Sequence, residues 1–482
     1  MKKWCLTCQY HSLRHLTNHS LSANVSTLCQ YSQSIAMHFT SLFLFLMAGV
    51  ALSIASHGAI FLERGATLAE PGGPQDVVIT DGNILNGAYR PNVDQSKPSS
   101  NHTLPLKLIN KYAGGPINAY IQGLDMNGAI VFVTADGKLV YPNSNGSSLP
   151  VEIKQEIAIP LPAINESIIV NLSIPLNSGR IYFCEGNLTF AILDRGDGEG
   201  LVQPSVNSND PSALLNWGFI ELTYPEDGSI YANISYVDFV GLILSMVLST
   251  TGGGTPQITR GLQPDAVPKL CYELFEQKIK DGHHWLGMCV TDNDNRPIRV
   301  ISPNYYQHIN ENAFKEYWTK YVDDVWDTYS KTPLIIDTQR ELGNVSCLVE
   351  NGTMRCGNDT IRYPKPTAAD IWGCNGGPFA RQENETPTHL AVVPRLCAGF
   401  VRSTLLLQGG HVQPSLGSDY HYMVSPTNHY SRLVHELQVD GRGYAFSYDD
   451  VNPNGNEDAS GTVAAGDPSL LTIYVGSPPT DI

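Results

Sequence analysis

Basic residues are scarce in this 482-residue chain, where 30 Lys and Arg stand against 46 Asp and Glu for a formal net charge of −16. Without a basic block the chain cannot neutralise a run of phosphates, so nucleic acid is excluded as a partner. Charge of either sign is low, at 16% of residues, while 42% are hydrophobic and 9% aromatic. That balance excludes a disordered, solvating protein. A membrane-spanning stretch of about 20 apolar residues is missing as well. So are several catalytic signatures: there is no G-x-S-x-G nucleophile elbow and no H-E-x-x-H zinc helix. Gly252–Gly254 is followed by no Lys-Ser/Thr, so it is no phosphate loop, and Asp292-Asn-Asp294-Asn-Arg296 lacks the glycine and glutamate of a calcium loop. His283-His284 and the set His411, His421, His429 and His435 have no ligand spacing, so no metal is expected.

What is present points to export. Residues 42–54 form one apolar run interrupted only by Ser53, the length of a secretory core, and Ser53 and Ala55 offer a small-x-small cleavage site. Met37 stands just upstream. The expectation is a signal peptide at 37–55, residues 1–36 being an upstream extension absent from the mature protein, which is then secreted with no stable membrane association. A signal-anchored protein is the alternative. Losing Lys2, Lys3 and Arg14 takes the net charge to −19. Seven cysteines follow the signal: Cys184, Cys271, Cys289, Cys347, Cys356, Cys374 and Cys397. In an oxidising compartment that allows up to three bridges and one leftover thiol. Cys347 and Cys356 flank a hairpin-like VENG and form the best local pair; the other pairings stay open. Ten Asn-x-Ser/Thr sequons follow Met37, at Asn101, Asn145, Asn165, Asn171, Asn187, Asn233, Asn344, Asn351, Asn358 and Asn384, a density that suits a glycosylated exported protein.

With 43 Gly and 31 Pro, the chain from 76 to 263 reads as short strands with turn punctuation. A helix-rich stretch follows. One helix is expected from Pro268 through KLCYELFEQKI, because proline is tolerated at the first helical position. A second is expected where Phe314, Trp318, Tyr321 and Val325 recur at helical spacing; that aromatic stripe reads as core rather than sugar platform. A third covers HLAVVPRLCAGFVRSTLL. Residues 436–475 return to turns and strands. The order predicts a mainly β domain, 76–263 and 388–478, interrupted by a mixed α/β insert at 264–387.

One segment carries chemistry. Glu221 and Asp238 each interrupt an apolar strand of a hairpin that turns at Pro225–Ser229. A solvated sheet face is the bland explanation for either acid alone, but two embedded among Phe, Ile, Val and Tyr point to a cleft. Two carboxyl groups are the minimum apparatus for glycoside hydrolysis, one protonating the leaving oxygen and one activating water or attacking the sugar. Strand arithmetic adds a requirement. If Tyr224 pairs with Ile230, Glu221 lies opposite Asn233, and Asp238 falls on the other face, roughly 17 Å further along. Catalysis needs about 5–9.5 Å. A bulge or break is therefore expected within Asn233–Val237.

Glu221-Leu-Thr223, followed by Ile230-Tyr-Ala-Asn233-Ile-Ser235-Tyr-Val-Asp238, resembles the E-F-T … F-Y-D-V-S-L-V-D signature of thaumatin-like proteins. Arg442-Gly-Tyr-Ala-Phe-Ser-Tyr-Asp449-Asp450 resembles their Y-A-Y-D-D stretch. With the inserted region and the block SPTNHYSRLVHELQVDGRGYAFSYDDV, the chain from 76 to 478 resembles glycoside hydrolase family 64. The resemblance implies a secreted endo-β-1,3-glucanase: a thaumatin-like β-barrel or sandwich split by a mixed α/β domain, with an open groove between them for β-1,3-glucan. It implies inversion, with Glu221 as general acid and Asp238 as general base, and Thr223, Asp449 and Asp450 as substrate contacts. No cofactor is needed and a monomer is expected. For Glu221 to hold its proton, Phe219 and nearby acids are the expected surroundings. The rival reading is a non-catalytic thaumatin-like glucan-binding or cell-wall protein.

Overall fold

The computed structural model describes residues 103–479 except 197, 208, 209, 384, 455, 456 and 458. The expected signal peptide, the upstream extension and the sequons at Asn101 and Asn384 lie outside the described residues. Among those described, the protein is mainly β, with five open sheets and six α-helices and no closed barrel.

Period-two burial shows why the outer strands form. In Leu104–Asn110, Leu104, Leu106 and Leu108 point inward while alternate positions are half-buried. This strand runs parallel to Pro468–Val475 and antiparallel to Ser167–Leu172, so the two ends of the described chain meet in one sheet. Leu244–Thr250 and Gln257–Thr259 complete its five strands. A larger sheet runs in the order Val463–Ala465, Ile230–Ile234, Trp217–Tyr224, Leu176–Glu185, Ile117–Leu124, Ile130–Val133 and Leu139–Val140, with Ile159–Pro160 paired to Ile117–Leu124.

The register of this larger sheet separates its two faces. Ile121, Ile181, Ile220 and Ile234 lie side by side across four strands, all buried in the main apolar cluster. One residue along, the opposite face carries an aromatic row, Tyr120, Tyr182 and Phe219. Beside that row stands a polar one: Gln122, Arg180, Glu221 and Asn233. A single slip of register would drive these polar groups into the isoleucine layer, so the pairing is strongly specified.

The helix-rich segment departs in detail from its reading. The first helix is Ala266–Asp281, starting two residues before Pro268, which sits within the first turn where no intrahelical N–H is lost. Gly282 ends it at a left-handed φ of 78°. The aromatic stripe is only half helical, because the helix spans Thr319–Tyr329 and Phe314 precedes it in turns. All four stripe residues are buried, and Phe314 and Trp318 pack on Trp372 at 5.6 and 5.2 Å between ring centres. They are core, as expected. The third helix is Pro387–Val401, capped by the Thr386 side chain on the His389 N–H, and stops before Arg402. Val412–Gln413 pairs parallel with Leu334–Asp337, adding an edge strand to the sheet of Asn344–Glu350, Thr353–Cys356 and Arg362–Tyr363.

Cys347 and Cys356 are directly opposed across a hairpin and bonded, the expected pair. Its turn residues, Asn351 and Gly352, both have positive φ, as a two-residue hairpin turn needs. Among the described residues Cys271–Cys289 and Cys374–Cys397 are the other bridges, and Cys184 is the buried free thiol. Arg296 closes the Asp292 turn by pairing with Asp292 at 2.8 Å and Asp294 at 3.2 Å. No helix among the described residues is long and apolar enough to cross a membrane.

Candidate active site

Glu221 sits in the middle of strand Trp217–Tyr224, opposite Asn233 on one side and Arg180 on the other. The first pairing is the one strand arithmetic anticipates. Only 4% of Glu221 is exposed. Its surroundings differ from expectation. Arg180 Nη2 donates to Glu221 Oε1 at 3.2 Å, and the guanidinium lies 4.9 Å over the Phe219 ring. Phe219 therefore carries a cation on its face instead of giving the acid a purely apolar wall. Arg180 Nη1 also donates to Gln203 Oε1, which accepts from Tyr182 OH at 2.9 Å. Asn233 is fully buried, and its amide has no protein hydrogen-bond partner among the described residues.

The strand that should reach Asp238 breaks where required. Regular pairing ends at Ile234. Ser235 forms an isolated parallel bridge with Tyr444, and the Tyr236 N–H donates to the Tyr444 carbonyl at 2.7 Å. Tyr430 OH holds the Tyr236 carbonyl at 2.6 Å. Val237 and Asp238 then form a bend, and Phe239–Val240 joins a different sheet by pairing with Val300 and Ile301. The Asp238 carbonyl accepts from the Ser302 N–H at 2.8 Å, which pins the bend to the start of helix Pro303–Ile309. Asp238 is half-buried, unlike Glu221. Burial pushes the Tyr305 phenol up, and the Asp238 charge adds to the rise, so the two groups are electrostatic neighbours.

A short loop links the two acid neighbourhoods. Gln203 binds the arginine that holds Glu221, and Ser205 Oγ lies 2.7 Å from Tyr305 OH beside Asp238. Two residues of chain reach at most about 7 Å. Asp210 fixes this loop by accepting the Ser205 N–H at 3.1 Å, and burial raises its carboxyl above the usual range.

The remaining expected residues fall into different settings. Thr223 is two positions from Glu221 on the same face, opposite Tyr231, and nearly buried. Asp450 is mostly buried, and its charge is felt by Arg395 and Tyr448. Asp449 has no exposed surface. One of its oxygens accepts from Arg402 at 3.0 Å; the other accepts from His435 Nε2 and the Ala445 N–H, both at 2.8 Å. Burial alone would raise this carboxyl, but His435, Arg402 and the Ala445 N–H hold it below the usual range. Burial likewise opposes the charge on His435, yet Asp449 and Gln438 raise its pKa. In this conformation Asp449 faces the protein interior.

Sequence reasoning missed Arg180, Gln203, Tyr182 and Tyr305. Arg180 left a readable signal: a charge inside the strand Leu176–Glu185, followed by four buried residues, Ile181 to Cys184. The loop residues left none, because their contacts are set by tertiary approach.

On one face of the large sheet a buried polar row thus flanks a buried aromatic row, with Glu221 inside the ladder and Asp238 at the strand break beyond it. Comparison with known proteins supplies the class. The sequence profile of glycoside hydrolase family 64, β-1,3-glucanase, matches residues 102–475, and the chain belongs to that family. A glucan endo-1,3-β-glucosidase of Cellulosimicrobium cellulans is 27% identical over 360 residues, covering 72% of this chain and 61% of that protein. One from Arthrobacter sp. (strain YCWD3) is 28% identical over 363 residues, with the same coverage. The chain thus spans about 61% of the length of these relatives. Among solved structures, a laminaripentaose-producing β-1,3-glucanase in complex with laminaritetraose is 26% identical with a TM-score of 0.67, covering 78% of this chain and 98% of that one. A β-1,3-glucanase domain from Clostridium beijerinckii, 18% identical with a TM-score of 0.59, shares the fold over 80% of this chain and all of its own.

Proposed function

We propose that the protein is a secreted endo-β-1,3-glucan hydrolase, acting as a monomer with inversion of the anomeric centre. Glu221 is the general acid and delivers its proton to the glycosidic oxygen as the bond to C1 breaks. Asp238 is the general base and takes a proton from a water that attacks C1 from the opposite side of the ring. Inversion needs about 6.5–9.5 Å between the carboxyls to admit that water. The observation that carries this reading is the break between Ile234 and Phe239. An unbroken hairpin would put the two acids on opposite faces, and the bend leaves Asp238 half-buried at the junction of two sheets.

Family membership supports β-1,3-glucan as substrate, and no cofactor is required for this chemistry. An uncharged polymer is held by hydrogen bonds and ring faces rather than by ion pairs. Thr223 and Asp450 are proposed as substrate contacts. For Asp449, full burial favours a supporting part, in which its ion pairs with Arg402 and His435 brace the segment that presents Asp450. The proposed architecture keeps a thaumatin-like β domain, 76–263 and 388–478, with the insert at 264–387 forming the far wall of an open groove. Residues 37–55 are the proposed export signal.

One observation favours the rival, purely glucan-binding reading: Glu221 is nearly buried and already paired with Arg180. Reducing-sugar release from laminarin decides between them. Wild-type protein should release sugar continuously, and Glu221→Gln and Asp238→Asn should each lower the rate about 100-fold or more while remaining folded. Retention on insoluble glucan with no release by the wild type would establish the binding reading instead.

A further inference from the structure

Burying a guanidinium in an apolar strand is costly unless its donors are engaged. Arg180 Nη2 donates to Glu221 Oε1 at 3.2 Å, Nη1 donates to Gln203 Oε1, and the Phe219 ring lies beneath the guanidinium plane at 4.9 Å. Gln203 is itself held by Tyr182 OH. Arg180 cannot swing away from Glu221 without giving up the other contacts.

We propose that Arg180 is the positioning residue of the acid site, fixing the Glu221 carboxyl and setting the pH range over which it can donate its proton. The inference rests on the reading of Glu221 as general acid. A positive charge this close favours the carboxylate over the carboxylic acid, typically by about 1–3 pH units. It therefore confines proton donation to the acid side. It also has a catalytic benefit, because negative charge grows on Glu221 as the proton leaves and the guanidinium is already oriented to meet it. The neighbours that strand pairing and hydrogen bonding give Glu221 among the described residues do not do this. Tyr182 lies on the strand of Arg180, Tyr231 and Asn233 lie on the strand across, Phe219 and Thr223 lie on its own strand, and Gln203 comes from the loop. None of these supplies a positive charge.

The test is the pH dependence of laminarin hydrolysis by wild type, Arg180→Gln and Arg180→Lys, with folding checked by circular dichroism. In Arg180→Gln the alkaline limb should move up by about one pH unit or more, and kcat at the optimum should fall with little change in KM. In Arg180→Lys the charge remains, so the limb should stay within a few tenths of a unit of wild type while kcat drops through loss of the planar fork. A folded Gln variant whose alkaline limb coincides with that of wild type would overturn the proposal. Should the Gln variant fail to fold, the Lys variant carries the test, and a displaced limb there contradicts it. Glu221→Gln is assayed alongside. Full activity in that variant would remove the general-acid reading itself, an outcome distinct from an unmoved limb in the arginine variants.

Discussion

Replacing Asp449 with Leu should be among the most destabilising changes in the molecule. The carboxylate is fully buried and accepts three hydrogen bonds, two of them from Arg402 and His435 and the third from a backbone N–H. Leucine leaves a guanidinium that is 3% exposed without its counter-charge. Breaking a buried pair from one side costs about 3–5 kcal/mol. The lower part of that range is expected, because the His435 side chain keeps 17% of its surface and part of its charge is screened by solvent. Urea titration followed by tryptophan fluorescence reads the loss directly. Asp449→Asn, which keeps an acceptor, should lose less. A pH series adds a signed check. The Asp449 carboxyl is held low in the fold, so its contribution is present above the ordinary carboxylate pKa of about 3.9 and is lost as pH falls through the lower folded value. The His435 pKa is raised, so its contribution is full below about 6.5 and is lost as pH rises through the higher folded value. Wild type should therefore be most stable between those limits, and His435→Gln should flatten the alkaline slope and move the acid limb to higher pH, because His435 also helps hold the Asp449 carboxyl down. A loss below about 1 kcal/mol for Asp449→Leu would refute the bracing role.

Other outcomes follow from burial. Made in a glycosylating host, the protein should carry glycans only on exposed sequons such as Asn145, Asn165, Asn351 and Asn358, and peptide mapping after deglycosylation should find Asn233 unmodified because it is fully buried between paired strands. The Cys184 thiol is buried, and desolvation pushes it up to about 12, so in secreted protein lacking residues 1–55 a thiol reagent should label no cysteine in the native state and Cys184 alone after denaturation without reductant. Ile220→Ala, in the centre of the isoleucine row, should cost about 2–5 kcal/mol by urea titration. A loss near zero there would mean that the face assignment of the large sheet is wrong.

Much of the site was legible because strands have a period of two. The pairing of Glu221 with Asn233 followed from the turn at Pro225–Ser229, and the need for a break before Asp238 followed from that pairing. The hairpin disulfide was readable for the same local reason. Arg180 was legible in principle, as a charge followed by four buried residues, but its partner required knowing which strand lies beside Trp217–Tyr224. That neighbour, Leu176–Glu185, is separated from it in sequence by a segment that holds the separate hairpin of Ala191–Asp194 and Glu199–Val202. The interior position of Asp449 was not readable at all. An acid between Tyr448 and Asp450 looks like a groove residue until Arg402 and His435, from two other segments, are brought onto it. Helix ends shifted where caps outweighed periodicity, as at Thr386 and Gly282.

The central claim is that Glu221 and Asp238 hydrolyse β-1,3-glucan by a single displacement. Proton magnetic resonance of fresh products, recorded within minutes of adding enzyme to a soluble laminarin, tests it most directly. The account predicts that the newly formed reducing ends appear first as the α-anomer and then equilibrate, and that neither Glu221→Gln nor Asp238→Asn gives a measurable signal on that timescale. Products appearing first as the β-anomer, or undiminished release by either variant, would contradict it.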